Sequence, residues 1–147
     1  MKRLAIFFVC VATLAMASCS MLGAGANNTV AQSLGQTCGS AVLGLYRSYK
    51  STGTIDLTNA SNLTNALALA TAYTQLRQNK DNASYRNAFT SGLILSSAGL
   101  ITNQNAGNFV NALLGAQQLG NINQNSTPSQ VNNSTPAVIN LVKTIDK

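Results

Sequence analysis

The side chains in this chain that could do chemistry are three cysteines, three aspartates and a set of lysines and arginines. The chain contains no histidine and no glutamate, so its carboxylate side chains are those of Asp56, Asp81 and Asp146. A Ser-His-Asp or Cys-His catalytic site needs a histidine, and the common zinc sites need histidine or several cysteines. A glycosidase-like carboxylate pair would have to come from aspartates that each lie near a predicted helix end. We therefore predict a protein that is not an enzyme and uses no cofactor and no metal ion. The alternative is an enzyme that uses lysine, tyrosine or serine, but no local signature supports one.

The basic residues are predicted to mark helix ends rather than a nucleic-acid surface. The net charge of the chain is +6, and a basic surface is one feature of proteins that bind nucleic acids. However, most of the basic residues fall at the ends of predicted helices: Arg47, Lys50, Arg77, Lys80, Lys143 and Lys147. The helix macrodipole favours cations there, and only Arg86 and Asp146 go against this pattern. We therefore predict no nucleic-acid partner.

The N-terminal residues have the layout of a secretory signal peptide. Two basic residues, Lys2 and Arg3, precede an apolar run from Leu4 to Met16, and small residues follow it. This run is shorter than an ordinary transmembrane helix. The alternative interpretation is a buried N-terminal helix, but the combination of a basic start, an apolar run and small residues favours a signal peptide.

Met16, Ala17, Ser18 and Cys19 resemble the lipobox of bacterial lipoproteins, in which an aliphatic residue and two small residues precede an invariant cysteine. The resemblance implies cleavage between Ser18 and Cys19. It also implies a diacylglycerol thioether on Cys19 and a further acyl chain, such as palmitate, on its new amino group. Several acyl chains on one residue anchor a protein stably, whereas one chain would not. The resemblance implies nothing about the fold of the remaining chain.

The residues that follow Cys19 give the expected location. Ser20 rather than aspartate follows it, and in lipoproteins this resembles an outer-membrane destination. No acidic run of the kind found in some surface-exported lipoproteins follows either. We therefore expect an outer-membrane protein of the cell envelope that faces the periplasm. Residues 1–18 are the predicted signal peptide, and residues 19–28 are the lipidated cysteine with a short flexible tether.

Cys38 is left without a disulfide partner if Cys10 is removed with the signal peptide and Cys19 is lipidated. A lone cysteine in an oxidising compartment is either buried or reactive. Cys38 lies on the apolar face of the first predicted helix, which favours burial.

Apolar residues recur at helical spacing from Val30 onward, and no period-two alternation indicates strands. The first helix is predicted from an N-cap at Asn28 to a stop at Gly53. Glycines on this helix permit close approach of a neighbouring helix: Gly35, Gly39 and Gly44. Its inner face is predicted to contain Val30, Leu34, Cys38, Val42, Leu45 and Tyr49.

Four further helices follow in the prediction. Their bounds are 57–79, from a start after Asp81 or Asn82 to about 101, 104–119 and from Thr135 to the C-terminus. Asp56 is the expected cap of the second helix, and Thr135 with Pro136 the expected start of the last one. The segment at 92–101, GLILSSAGLI, is apolar almost all round and is predicted to be the most buried. Since the connections are short, we predict an all-α fold, a compact antiparallel bundle of four to five helices at residues 29–147.

Two surface features could contact partners. If the bundle runs up and down from its anchor, Arg77, Lys80 and Arg86 face the membrane, where anionic headgroups attract basic residues. Asparagine and glutamine crowd the loops and polar helix faces. These amides form either a neutral, soluble surface or a hydrogen-bonding surface for a glycan or a protein partner.

The function predicted from these observations is that of a membrane-anchored envelope lipoprotein. Its partners would be the membrane, through the acyl chains on Cys19, and an envelope protein. Its bundle would be a non-enzymatic interaction or structural module. The alternative is a carrier of a small apolar ligand or lipid in a cavity between helices. The residues expected to line that cavity are Leu93, Leu95, Phe109, Leu113 and Leu114.

Overall fold

Five α-helices and two 3₁₀ helices make up the regular structure of residues 24–146, the part of the chain that the computed structural model describes. The α-helices are α1 (Ala24–Thr52), α2 (Ala60–Gln78), α3 (Ala83–Ser96), α4 (Ala106–Gly115) and α5 (Pro128–Lys143). The 3₁₀ helices are Gln117–Asn121 and Thr144–Asp146. The prediction of an all-α bundle is therefore confirmed. The predicted signal peptide, the cleavage site at Ser18 and Cys19 lie outside the described residues.

Helix α1 begins earlier than the sequence predicts, and residues 24–28 of the expected tether are helical. The predicted N-cap at Asn28 is wrong, because its side chain donates instead to the Ser84 hydroxyl at 2.9 Å. The end of α1 is as predicted. Gly53 follows α1 with a φ of 73°, a conformation that glycine adopts at little cost.

Helices α1 and α3 form the most extensive helix pair of the described bundle, and they run parallel. Glycine on both helices brings the two backbones together. A Cβ on Gly35 would overlap the carbonyl oxygen of Phe89, and one on Gly92 would overlap the carbonyl oxygen of Gln32. A Cβ on Gly39 would lie 2.6 Å from the Leu93 carbonyl oxygen. The close approach that the α1 glycines predict is therefore present: Gly35 and Gly39 face α3, whereas Gly44 faces Asn65 of α2.

Helix α2 packs on α1 in the opposite direction. The buried Asn62 side chain donates to the Ser48 hydroxyl at 3.1 Å and to the Asp56 carbonyl oxygen at 2.9 Å. The predicted cap at Asp56 is wrong. Asn59 caps α2, and the Asp56 carboxylate accepts from the backbone and hydroxyl of Thr58 instead. The helix thus starts later than predicted, because residues 56–59 form a turn that the hydrogen bond from the Asn59 N–H to the Asp56 carbonyl oxygen closes.

One core of aliphatic and aromatic side chains joins all five α-helices. Its largest fully buried members include Leu45, Leu69, Leu76, Phe89, Leu93 and Leu113. Cys38 is buried among them with no exposed surface, as its place on the apolar face of α1 predicts. Burial raises the pKa of the Cys38 thiol far above its usual range, so the thiol stays protonated and unreactive.

Helix α3 ends at Ser96, not near residue 101 as predicted. The chain turns out of the helix through Ala98 and Gly99, with φ values of 51° and 83°. The buried Ser97 hydroxyl holds this turn, because it accepts from the Ile101 backbone N–H at 3.1 Å. The predicted burial of segment 92–101 holds only in part, since Leu95 is 67% exposed on the outer face of α3.

Helix α4 is shorter than the predicted range of 104–119, and a 3₁₀ helix follows it. Helix α5 begins at Pro128, so the predicted start at Thr135 and Pro136 is wrong and the amide-rich loop is shorter. The reason is a capping box, in which Thr127 and Gln130 satisfy each other's backbone N–H groups. Pro136 lies inside α5 on its exposed side.

We predict that alanine substitutions of glycine change stability in opposite directions at two sites. Gly35→Ala places a methyl group against the α3 backbone and should lower the free energy of unfolding by about 3 kcal/mol. Gly107→Ala in α4 adds a methyl group with no atom within 4 Å and should raise it by about 0.5 kcal/mol. Urea denaturation of the purified protein measures both changes. Equal effects at both sites would contradict the close crossing of α1 and α3.

Candidate functional site

The charged side chains of residues 24–146 lie at two ends of the bundle. We call the start of α1, the end of α2 and the start of α3 the proximal end. The distal end comprises the end of α1, the start of α2 and the C-terminal 3₁₀ helix. The proximal end carries Arg77, Lys80, Asp81 and Arg86, and the distal end carries Arg47, Lys50, Asp56, Lys143 and Asp146. The sides of the bundle between them are lined by amides, hydroxyls and small apolar residues.

The structure brings the three predicted membrane-facing residues to the proximal end in different settings. Arg77 is exposed, but its guanidinium donates to the Tyr73 hydroxyl at 3.0 Å and lies 6.0 Å from the Tyr73 ring centroid. This contact holds the Arg77 charge one turn back along α2. Lys80 is exposed and Arg86 is half-buried. Within residues 24–146, none of the three forms an ion pair with a carboxylate.

The distal end is a cluster in which two of the three cations, Lys50 and Lys143, have partners. Lys50 forms an ion pair with Asp146 at 3.0 Å, and the Tyr46 hydroxyl donates to the same carboxylate at 2.9 Å. The hydrogen bonds from Lys50 and then Tyr46 hold the pKa of Asp146 below its usual value, and the bond to Asp146 raises the pKa of Lys50. Lys143 lies 5.8 Å from the centroid of the Tyr49 ring. These contacts fasten the C-terminal 3₁₀ helix to α1.

Three surface grooves border residues 117–124. We call the surface that contains these three grooves the amide flank. The largest, of about 500 Å³, lies between α4 and α5. It is lined by Ala112, Gly115, Ala116, Gln117, Gln118, Pro136, Ala137, Asn140, Leu141 and Thr144. The second, of about 410 Å³, is lined by Gln118, Gly120, Asn121, Asn123, Gln130, Asn133 and Ser134.

The third groove, of about 340 Å³, lies between α2 and the chain at 120–124. None of the three grooves is lined by a charged residue. Carboxamides offer both donors and acceptors, and small residues allow a partner to approach the backbone. The amide flank is therefore suited to hydrogen bonding with a neutral partner surface.

The residues expected to line a carrier cavity do not come together around one of these grooves. Leu93, Phe109 and Leu113 are buried in the core, Leu114 is partly buried, and Leu95 points to solvent. The carrier function remains a prediction. No residue pattern indicated the groove between α4 and α5, because this groove forms where α4 ends at Gly115 and the following 3₁₀ helix packs on α2.

The chain matches no known family model, no curated protein and no solved structure with which it was compared. None of the helices within residues 24–146 is long and apolar enough to span a membrane. Cysteine and aspartate side chains in the same range do not gather into groups of three or more. The function is therefore inferred from the chain's own residues.

We predict that Asp146→Asn lowers stability only where the aspartate is ionised. Because the pKa of Asp146 is lowered by folding, its contribution is complete above the unfolded value of about 4 and is lost as pH falls through the folded value. The midpoint of thermal unfolding should therefore be lower for the variant at about pH 7 and equal for both proteins at about pH 2. Circular dichroism measures both midpoints. A difference that persists in acid would mean that packing, rather than charge, accounts for the effect.

Proposed function

We propose that this chain is a lipid-anchored protein of the bacterial envelope whose helical domain binds a partner and does not catalyse a reaction. The observation that carries the proposal is the motif at Met16–Cys19, which follows a basic start and an apolar run. Acylation of Cys19 would attach the domain to a membrane. Ser20 after the cysteine favours the outer membrane, with the domain facing the periplasm.

The start of α1 limits how far the domain can lie from that anchor. Helix α1 begins at Ala24, so residues 20–23 are the only link between Cys19 and the helix. A chain of this length spans at most about 17 Å. The domain would therefore stay next to the lipid headgroups, with its proximal end closest to Cys19.

The amide flank supports binding as the role of the domain. Its grooves are uncharged and contain carboxamides such as Asn133 and Asn140 beside small residues such as Ala137. Protein interfaces combine close packing with about one hydrogen bond per 100–200 Å² of buried area, and this surface offers both elements. The lack of histidine and glutamate leaves few groups for acid–base catalysis.

Cys19→Ala should abolish incorporation of a tagged palmitate in growing bacteria and leave an unprocessed precursor. The expected loss has a direct cause, because the alanine has no sulfur for the thioether. Cys10→Ala and Cys38→Ala are matched controls that should retain both labelling and processing. Gel shift and mass spectrometry of the purified protein give the measurement. Normal labelling of Cys19→Ala would refute the lipoprotein assignment.

A photo-crosslinking residue tests the binding role of the amide flank. Placed at Asn140 in the largest groove, it should give a discrete adduct with an envelope protein in intact cells, whereas the same residue at the exposed Ser91 of α3 should not. Ala137→Arg should remove the Asn140 adduct, because it places a bulky charge in the groove. Ser91→Arg is the control with the same added charge. Equal adducts from both positions, or none from either, would contradict this role.

A further inference from the structure

We propose that the proximal end docks on anionic phospholipid headgroups through Lys80 and Arg86. The bundle would then stand upright on the membrane, with the amide flank on its side. The inference rests on the proposed function, because it takes Cys19 as the point of attachment. It adds the orientation of the domain and the lipid chemistry that fixes this orientation.

The elements that meet at the proximal end are the ones nearest to Cys19. The hydrogen bond between Asn28 and Ser84 places the start of α3 beside the start of α1. Residues 79–82 join the end of α2 to the start of α3, so Lys80 lies in that connection and Arg86 in the first turns of α3. A short link from Cys19 to Ala24 would therefore bring these two cations to the bilayer surface.

The charge of the proximal end is uncompensated within the described residues. It carries three cations and a single carboxylate, Asp81, and no ion pair involves Lys80 or Arg86. The starts of α1 and α3 add the positive ends of two helix dipoles, against one negative end from α2. An anionic surface would meet a net positive potential at this end.

The distal end differs, although it also contains basic residues. Lys50 is paired with Asp146 and lies 5.3 Å from the Tyr46 ring centroid, and Lys143 lies over Tyr49. These contacts hold two of its cations within the protein. The distal end is also separated from Cys19 by the length of α1, which is 29 residues or about 43 Å. It would not reach the membrane to which Cys19 is attached if the bundle stands upright.

The expected strength of docking is moderate and depends on salt. Each basic residue near an anionic leaflet favours the docked state about fivefold, so Lys80 and Arg86 together give about 25-fold. Arg77 contributes less, since its guanidinium is held back against Tyr73. The attraction acts over about 8 Å at physiological ionic strength and should fade at high salt.

The test uses the acylated protein, purified from membranes and placed in phosphatidylcholine nanodiscs with or without phosphatidylglycerol. A donor dye with a short transfer range, which distinguishes contact from mere proximity, is attached at Ala83→Cys on the proximal end, and energy transfer to a headgroup-labelled lipid is measured. The dye reacts at this position alone, because Cys38 is buried and Cys19 carries the acyl chains. Transfer should be strong in the anionic discs and weaker in neutral discs or at high salt.

The variant K80E/R86E should lower transfer in anionic discs to the level seen in neutral discs. R47E/K143E makes the same change of net charge at the distal end and should leave transfer unchanged. Thermal unfolding confirms that both variants are folded. Energy transfer that is equal in discs with and without phosphatidylglycerol, or that falls equally in both variants, would overturn the docking proposal.

The mass of the purified protein separates this proposal from the one on which it rests. A mass without acyl chains overturns the proposed function, and the docking proposal falls with it. An acylated protein without lipid-dependent transfer overturns the docking alone and leaves the lipoprotein proposal in place.

Discussion

The close crossing of α1 and α3 is the contact on which the rest of the bundle depends. Gly35 and Gly92 remove the side chains that would otherwise separate these two helices, so backbone meets backbone along a parallel pair. Each glycine costs helix stability in isolation, and the dense contact between the helices offsets that cost. With α3 held on one side of α1, helix α2 packs antiparallel on another part of it, and α4 and α5 complete the core. The same crossing gathers the start of α3 beside the start of α1 and so creates the proximal end.

Asparagine replaces charged residues in several structural roles, which explains how so charge-poor a chain forms defined helices. Asn59 and Asn82 cap α2 and α3 through their side-chain oxygens, and Asn105 bridges the turn before α4. Such caps contribute about 1 kcal/mol each. Asn62 joins α2 to α1 from a buried position. Many amides therefore serve the fold, and Gln130 does so within the amide flank itself, whose grooves also contain Asn133 and Asn140.

The sequence predicted the features that local chemistry decides. Helical periodicity indicated the fold, and Gly53 ended α1 as expected. Asn82, one of the two expected starts of α3, is its N-cap, and the apolar face of α1 placed Cys38 in the core. The errors arose where two local patterns compete or where packing decides. Thr127-Pro128 and Thr135-Pro136 are equal as helix starts until Gln130 closes a capping box on the first pair. The end of α3 and the grooves depend on packing between residues distant in sequence, so local sequence patterns did not predict them.

The separation of charged ends from an uncharged flank has a consequence for binding. A partner that approaches the amide flank gains little from electrostatic steering, because no charged residue lines its grooves. Association would depend on shape and hydrogen bonds. Without electrostatic steering its rate constant would be low, so binding would be slow at low partner concentration. The proposed tether to a membrane would compensate for this, since it would confine the domain to a layer and raise its effective concentration for partners in that layer. Docking through the proximal end would also fix the orientation of the domain. The amide flank would then face sideways, parallel to the membrane plane, and because it is uncharged it would not be attracted to the anionic lipid. The proposed anchor and the distribution of charge thus support one mode of action, in which the membrane supplies the proximity that the binding surface lacks.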